Sequence, residues 1–286
     1  MDELSTTLNL HPSLLLGTAA VLGLIIGSFL NVVIYRLPLM LIQAQDDAVS
    51  PTSETAQLSL ALPASHCPAC KHPLGITENI PLLSFLLQRG KCRHCAHSIP
   101  ARYPLIELLS ASLTTLVIYH FGLSAQGLAA LLLTWALICL TFIDLNQLLL
   151  PDAITLPFLW LGLILSTQSL FTNSIDSIMG AVAGYGLLWS VFHLHRLITG
   201  KVGMGHGDFK LLALLGAWLG WQMLPQIILL SSLCGTLVGL SLIAFKQHDK
   251  DRPIPFGPYL ASAGFIALLW GDDMTRAYTN MLHGAN

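Results

Sequence analysis

The sequence predicts an all-α polytopic membrane protein with about eight transmembrane helices and a small zinc-ribbon-like cytoplasmic domain. Three observations lead to this fold class. Hydrophobic residues make up 54% of the 286 residues and charged residues only 10%, whereas about 25% of the residues in a soluble globular protein are charged. The hydrophobic residues are concentrated in long continuous runs, and four cysteines form two close pairs in one polar segment. We therefore expect the chain to lie in a lipid bilayer.

The apolar runs determine the predicted number of spans, because a transmembrane helix needs about 20 predominantly apolar residues. The runs lie at 13–35, 104–121, 127–143, 153–169, 178–195, 211–224, 226–245 and 256–271. The run at 211–224 is short, so seven spans or a re-entrant segment there is an alternative. The predicted domains are a first span at 1–35, a cytoplasmic zinc-binding domain at 36–103, a transmembrane core at 104–272 and a tail at 273–286.

The orientation follows from the Lys and Arg residues, which are enriched in cytoplasmic loops. With eight spans and an external N-terminus, the internal connections are 36–103, 144–152, 196–210 and 246–255. Arg276 is the only one of the 13 Lys and Arg residues outside them. We therefore expect a periplasmic N-terminus and a cytoplasmic cysteine loop in a bacterial inner membrane. A net charge of −2 without a basic stripe argues against nucleic acid as a partner.

The cysteine loop contains Cys67-Pro-Ala-Cys70 and Cys92-Arg-His-Cys95. Two C-x-x-C pairs about 20 residues apart are typical of a zinc ribbon. Zinc binds four thiolates tetrahedrally, and each pair supplies two of them from one turn. The sequence predicts one closed, structural zinc site. The other reading, four ordinary cysteines, is disfavoured by the specific spacing.

Acidic residues at the ends of apolar spans are costly and therefore often functional. Asp144 ends the third run, and Asp208 follows a glycine-rich turn before the sixth. Both lie on the predicted cytoplasmic side, where two carboxylates sharing one proton are able to act as an aspartic protease pair. Either aspartate alone reads more simply as a helix cap or an interfacial charge. Asp152 is a plausible N-cap of the next span. Glu107 is suited either to pairing with a basic residue or to binding a substrate amine.

These residues resemble a known family, the type IV prepilin peptidases. The resemblance covers most of residues 20–260. It rests on Gly205-His-Gly-Asp208 with Lys210 two positions on, on Asp144 followed by Pro151-Asp152, and on four further segments: Gly27–Pro38, Glu78–Pro81, Arg89–Cys92 and Ala101–Glu107. Gly205-His-Gly-Asp208 matches the G-x-G-D motif of the family, and the resemblance implies that Gly205, Gly207 and Lys210 support the aspartate.

The resemblance implies a membrane enzyme with Asp144 and Asp208 as its catalytic pair. Such enzymes remove the leader from type IV prepilins and type II secretion pseudopilins after a glycine. Members with the four-cysteine loop also methylate the new N-terminal amine with S-adenosylmethionine, so we expect both activities. The candidate region for the methyl donor contains Glu78, Asn79 and Glu107.

Two other classes are compatible with parts of the pattern. Paired membrane carboxylates also occur in ion and proton transporters, although transporters place them near the bilayer midplane between internal repeats. A zinc-ribbon scaffold that only recruits a secretion machine is a third class, but it leaves the contexts of Asp144 and Asp208 unexplained.

Overall fold

A computed structural model describes residues 12–49, 58–201, 204–244 and 254–283, which are mostly helical and contain no strand. Two short 3₁₀ helices, Ile76–Glu78 and Trp221–Met223, lie between the α-helices. The α-helices of the described ranges are α1 Pro12–Val49, α2 Leu83–Leu87, α3 Arg102–Phe121, α4 Ala125–Gln147, α5 Asp152–Ser166, α6 Ser174–Thr199, α7 His206–Leu219, α8 Leu224–Ala244 and α9 Gly257–His283.

The predicted fold class is confirmed, because each of the eight apolar runs overlaps a different α-helix. Five helical segments are long and apolar enough to cross a membrane, so the chain is a multi-pass membrane protein. These segments are Pro12–Gln45, Arg102–Phe121, Ala125–Gln147, Ser174–Thr199 and Trp221–Leu242. Helices α5 and α7 are shorter, with 15 and 14 residues.

The first and last long helices extend beyond the predicted spans. Helix α1 continues through Pro38 to Val49, although the predicted span ends at residue 35. The residues after Pro38 include Leu, Met, Gln and Ala, which are good helix formers, and no glycine interrupts them. Helix α9 likewise continues to His283, so the helix includes most of the predicted tail.

The chain divides into two compact units between residues 139 and 140. In the first unit, α1 packs along α3 at two glycines. A Cβ atom on Gly23 would lie 2.6 Å from the Cα of Ala111, and one on Gly27 would lie 2.7 Å from the Cα of Glu107. Small residues let two membrane helices approach closely in this way. Helix α3, and with it Glu107, is thereby held against α1.

The second unit is built around α7. Every residue from Leu211 to Leu219 is buried, as expected for a helix that is apolar on all sides and enclosed by protein. Helix α6 packs directly on it, with Gly180 against the backbone of Gly216 and Gly184 against that of Leu212. This packing fixes the position of the first turn of α7, which carries Asp208.

Candidate functional site

Asp144 lies near the C-terminal end of α4, and only 5% of its surface is exposed. A negative charge at a helix C-terminus is unfavourable with respect to the dipole of that helix. The carboxylate instead faces the start of α9, where the backbone N–H of Gly257 donates a hydrogen bond of 3.0 Å to Oδ2. The first N–H groups of a helix have no partner within the helix and bind anions well. Helix α9 therefore compensates the poor position of Asp144 in α4.

Asp208 lies in the first turn of α7, where the helix dipole favours a carboxylate, and its exposed fraction is 7%. Gly205 is the N-cap residue of this helix, and its backbone hydrogen-bonds the Asp208 carboxyl group. An acidic side chain that reaches back to the N-cap backbone in this way forms half of a capping box. The glycine-rich turn thus orients Asp208.

The structure brings the two aspartates together, close enough for their charges to interact. Leu150 lies between the first turn of α7 and the first turn of α9. A Cβ atom on Gly207 would lie 2.8 Å from Leu150 Cβ, and one on Gly257 would lie 2.6 Å from Asp144 Oδ2 and 3.2 Å from Leu150 Cδ2. The absence of side chains at Gly207 and Gly257 therefore permits this close packing.

Lys210 does not contact the aspartate pair through its ammonium group. Its Nζ lies 2.7 and 2.8 Å from the two carboxylate oxygens of Asp152. Asp152 is the first residue of α5, and Pro151 is the N-cap. The prediction that Asp152 caps α5 is therefore wrong. Its side chain links the start of α5 to the start of α7 instead.

The four cysteines converge in the first unit. Their sulfur atoms lie within 4.8 Å of one another, with Cys67 Sγ 3.8 Å from Cys95 Sγ and Cys70 Sγ 4.0 Å from Cys92 Sγ. The two turns have the same backbone pattern, since the N–H of Cys67 donates to His72 O and that of Cys92 donates to His97 O. All four are free thiols.

This cluster fits zinc. Four sulfur atoms at tetrahedral bond lengths of about 2.3 Å lie about 3.8 Å apart, which is close to the spacing of these thiols. The backbone N–H of Cys70, and secondarily that of Ala69, faces the sulfur of Cys67 and lowers the pKa of that thiol to about 6. Since the thiolate is the form that binds metal, the turn prepares Cys67 as a ligand.

The candidate residues for the methyl donor occupy different surroundings. Glu107 is buried and accepts a 2.7 Å hydrogen bond from the backbone N–H of Leu82, and it also hydrogen-bonds Ser28. Asn79 lines a cavity of about 280 Å³ together with Ile25, Ser28, Phe29, Val32 and Pro81. Glu78 instead accepts a hydrogen bond from Gly75 and lies 3.8 Å from His94.

The chemistry of this cavity suits part of S-adenosylmethionine. Asn79 and Ser28 offer polar groups at its wall. The carboxylate of Glu107 hydrogen-bonds Ser28, and a negative charge there suits the cationic sulfonium of the methyl donor. The volume is slightly below the range of about 300–1,000 Å³ typical of ligand pockets. Only a portion of the donor would fit inside it.

Two residues with clear structural roles were missed from the sequence. Gly257 donates to Asp144, and the signal for it was the Pro-Phe-Gly-Pro sequence at the start of the last apolar run. Arg36 is buried, and its guanidinium donates to the carbonyl oxygens of Ser59, Leu60 and Pro63. It connects α1 to the segment that leads into the cysteine loop.

Two family models match the chain. One family model, the bacterial peptidase A24 N-terminal domain, matches residues 21–121, and the type IV leader peptidase family matches residues 131–240. No solved structure matches the chain.

Several relatives are similar over nearly their whole length, and each is a prepilin leader peptidase/N-methyltransferase. The relative from Aeromonas hydrophila is 54% identical over 268 residues, which cover 91% of this chain and 92% of the relative. Those from Pseudomonas aeruginosa and Legionella pneumophila are 51% and 44% identical, covering 94% and 90% of this chain and 94% and 91% of the relatives. The chain therefore belongs to the type IV leader peptidase family.

Proposed function

We infer that this protein is a membrane enzyme that cleaves the leader from type IV prepilins and methylates the new N-terminus. Relatives that are about 50% identical to this chain are named for both activities. One structural observation supports the peptidase most directly. Two buried carboxylates, Asp144 and Asp208, come from the ends of different helices and lie close enough to interact.

Asp144 and Asp208 are the proposed catalytic pair. Two carboxylates that share one proton are able to activate water and protonate the scissile carbonyl oxygen at the same time. Water loses a proton to one carboxylate and attacks the carbonyl carbon, while the other carboxylic acid donates its proton to the oxygen. The tetrahedral intermediate then collapses, the C–N bond breaks, and the leaving amine takes up a proton.

The Gly257 N–H restricts how Asp144 takes part in this cycle. Because this N–H donates to Oδ2 at 3.0 Å, a lone pair of that oxygen is already engaged. The bond makes Oδ2 less basic, so Oδ1 is the favoured position for the proton when Asp144 holds it. Gly257 acts as a positioning residue, since its backbone contacts the carboxylate and not the substrate.

The proposed substrates are prepilins and the pseudopilins of type II secretion, cleaved after a glycine. Such substrates have a basic leader in the cytoplasm and an apolar helix in the bilayer. A site at the cytoplasmic border of an inner-membrane protein would meet their cleavage point, as the Lys and Arg distribution predicts. A transporter would need its acids near the middle of spans, whereas both aspartates lie at helix ends.

The four cysteines are the proposed ligands of a structural zinc ion in a cytoplasmic domain at 36–103.

S-adenosylmethionine would supply the methyl group that is transferred to the N-terminal amine. Asn79 and Glu107 are the residues proposed to bind part of it, because Asn79 lines the cavity and Glu107 hydrogen-bonds Ser28 in the cavity wall. Residues 104–272 form the proposed peptidase core.

A cleavage assay tests the catalytic pair. Purified protein in detergent is incubated with a prepilin, and the shortened product is quantified for wild type, Asp144→Asn and Asp208→Asn. The cleavage rate of both variants should be about 10²–10⁴-fold lower than that of wild type, which is the usual contribution of general acid–base catalysis.

The matched control is Asp273→Asn. It removes an exposed carboxylate that pairs with Arg276 in α9, and it should cleave like wild type. Normal cleavage by either Asp144→Asn or Asp208→Asn would refute the proposed pair.

A further inference from the structure

A second cluster of side chains that could ligate a metal lies in the same segment as the four cysteines. It consists of His72, Glu78 and His94, whose ligand atoms all lie within 4.8 Å of one another. The imidazole rings of His72 and His94 have centroids 3.5 Å apart at an interplanar angle of 35°. Nε2 of His94 lies 3.8 Å from Oε1 of Glu78. Three potential ligands from separate parts of the loop therefore converge.

Each member of this cluster is held by its surroundings. Glu78 ends the Ile76–Glu78 3₁₀ helix, and its Oε2 accepts a 3.0 Å hydrogen bond from the backbone N–H of Gly75. Its side chain is only 9% exposed. The other oxygen, Oε1, is left facing His94. Ligating carboxylates in metal sites are commonly oriented by such a second hydrogen bond.

The two histidines are carried by the two cysteine turns. His72 follows Cys70 by two residues, and its carbonyl oxygen accepts the N–H of Cys67 at 2.9 Å. His94 lies between Cys92 and Cys95. Folding of the four-cysteine cluster therefore sets the separation of these rings.

A simpler explanation is a surface ion pair between His94 and Glu78. That explanation covers two of the three residues but leaves out His72, which has a ring nitrogen within 4.8 Å of both other ligand atoms. Two imidazoles and one carboxylate are the donor set of zinc sites that keep an open coordination position. His72 and His94 are both exposed, so one side of the cluster is open to solvent.

We propose that His72, Glu78 and His94 form a second binding site for a divalent transition metal, with zinc as the expected ion. Ligand atoms on tetrahedral zinc with bonds of about 2.0–2.1 Å lie about 3.3–3.4 Å apart. Two imidazoles on one tetrahedral ion have ring centroids about 5 Å apart. The 3.8 Å between His94 and Glu78 must therefore close slightly, and the two rings, now 3.5 Å apart, must rotate away from each other. The ion would join both cysteine turns to the 3₁₀ helix, and it would exchange more readily than zinc in a closed four-thiolate site.

Metal content tests this proposal without reference to enzyme activity. Full-length protein in detergent is loaded with Zn²⁺, washed with or without a mild chelator, and measured by elemental mass spectrometry. Wild type should hold about two ions per chain after loading and about one after the chelator, since only the closed site resists it. Glu78→Gln and His72→Ala should hold about one ion under both conditions.

The control is His97→Ala. His97 occupies the position in the second turn that His72 occupies in the first, is also exposed, and belongs to neither cluster. This variant should bind metal like wild type. A wild type that loads only one ion, a Glu78→Gln protein that still loads two, or one that loses both would each overturn the proposal.

Cobalt(II) titration distinguishes the two sites spectroscopically. Cobalt bound to thiolates gives intense charge-transfer bands, and cobalt bound to imidazole and carboxylate does not. The first equivalent should produce these bands and the second should add only weak ligand-field absorption, with the second step lost in His72→Ala. Charge-transfer bands that grow through both equivalents would contradict a separate histidine site.

Discussion

The four-cysteine cluster and the aspartate pair are assembled in different ways. Each cysteine turn is closed by hydrogen bonds within about six residues, such as that from Cys67 N to His72 O. The aspartates are separated in sequence by two whole helices, α5 and α6, and meet only because the end of α4 at Asp144 lies against the starts of α7 and α9. The cysteine cluster depends on local chain geometry and on the metal, while the aspartate pair depends on helix packing. Changes in one should therefore leave the other largely intact.

The largest effect is expected when both members of the aspartate pair are neutralised. The Asp144→Asn, Asp208→Asn double variant should lose cleavage by about 10²–10⁴-fold, and by no more than the worse single variant, because residues that act as a unit are not additive. Its zinc content and its methylation of a pre-cleaved pilin should stay at the wild-type level. Labelled S-adenosylmethionine measures the methylation. A loss of zinc in this variant would show that the sites are not independent.

The converse change removes the metal. Cys67→Ser combined with Cys92→Ser should abolish tight zinc binding and open the loop to limited proteolysis, because a structural zinc site contributes about 10–16 kcal/mol of binding free energy. Methylation should be lost, and prepilin cleavage should fall by less than about tenfold, or about 1.4 kcal/mol. Absence of zinc from wild type would end the claim of a metal site. Normal methyl transfer by this variant would show that methylation does not require the cysteine loop.

Gly257→Ala tests the packing of the aspartate pair. The added Cβ would lie 2.6 Å from Asp144 Oδ2, so the carboxylate must move, and a displacement of about 1 Å can cost about 10²-fold in rate. The matched control is Gly186→Ala, because a Cβ on that helical glycine would meet nothing within 4 Å. The prediction fails if both variants cleave a prepilin equally well.

Asn79→Ala probes the proposed methyl-donor cavity. It removes a polar group from the cavity wall, and loss of one hydrogen bond to a ligand costs about 0.5–1.5 kcal/mol, up to about a tenfold change. The apparent KM for S-adenosylmethionine should rise while prepilin cleavage is unchanged. The control is Asn286→Ala, outside the described residues and far along the chain in sequence. A variant with unaltered methylation kinetics would remove Asn79 from the proposed donor site.

The smallest effect is expected for the ion pair between Lys210 and Asp152. Their side chains are 30% and 54% exposed, and exposed ion pairs contribute about 0.2–1 kcal/mol. Lys210→Met should lower the thermal unfolding temperature in detergent slightly. A double-mutant cycle with Asp152→Asn isolates the pair. A coupling free energy well above about 1 kcal/mol would mean that this link between α5 and α7 matters more than its exposure suggests.

The helices and the cysteine cluster were predictable from the sequence because their signals are local. A continuous apolar run predicts a helix wherever it occurs, and the C-x-x-C spacing predicts a turn that presents two thiolates. Helix ends were less predictable. Helix α1 continues beyond Arg36 because good helix formers follow it. The buried guanidinium of Arg36 is satisfied by three carbonyl oxygens. The carbonyl partners of Arg36 and the ion pair between Asp152 and Lys210 join residues that are distant in sequence, so no local pattern predicts them.

The sequence by itself determined that the chain spans a membrane, and it singled out Asp144, Asp208 and the four cysteines as candidates for chemistry. Composition and spacing are enough for this, because the cost of charge in lipid and the geometry of zinc restrict where such residues occur. Only the tertiary structure decided that Gly257 holds Asp144, that Glu107 binds the Leu82 backbone, and that Glu78 meets two histidines. Those contacts join distant parts of the chain, and helix packing and loop closure set them.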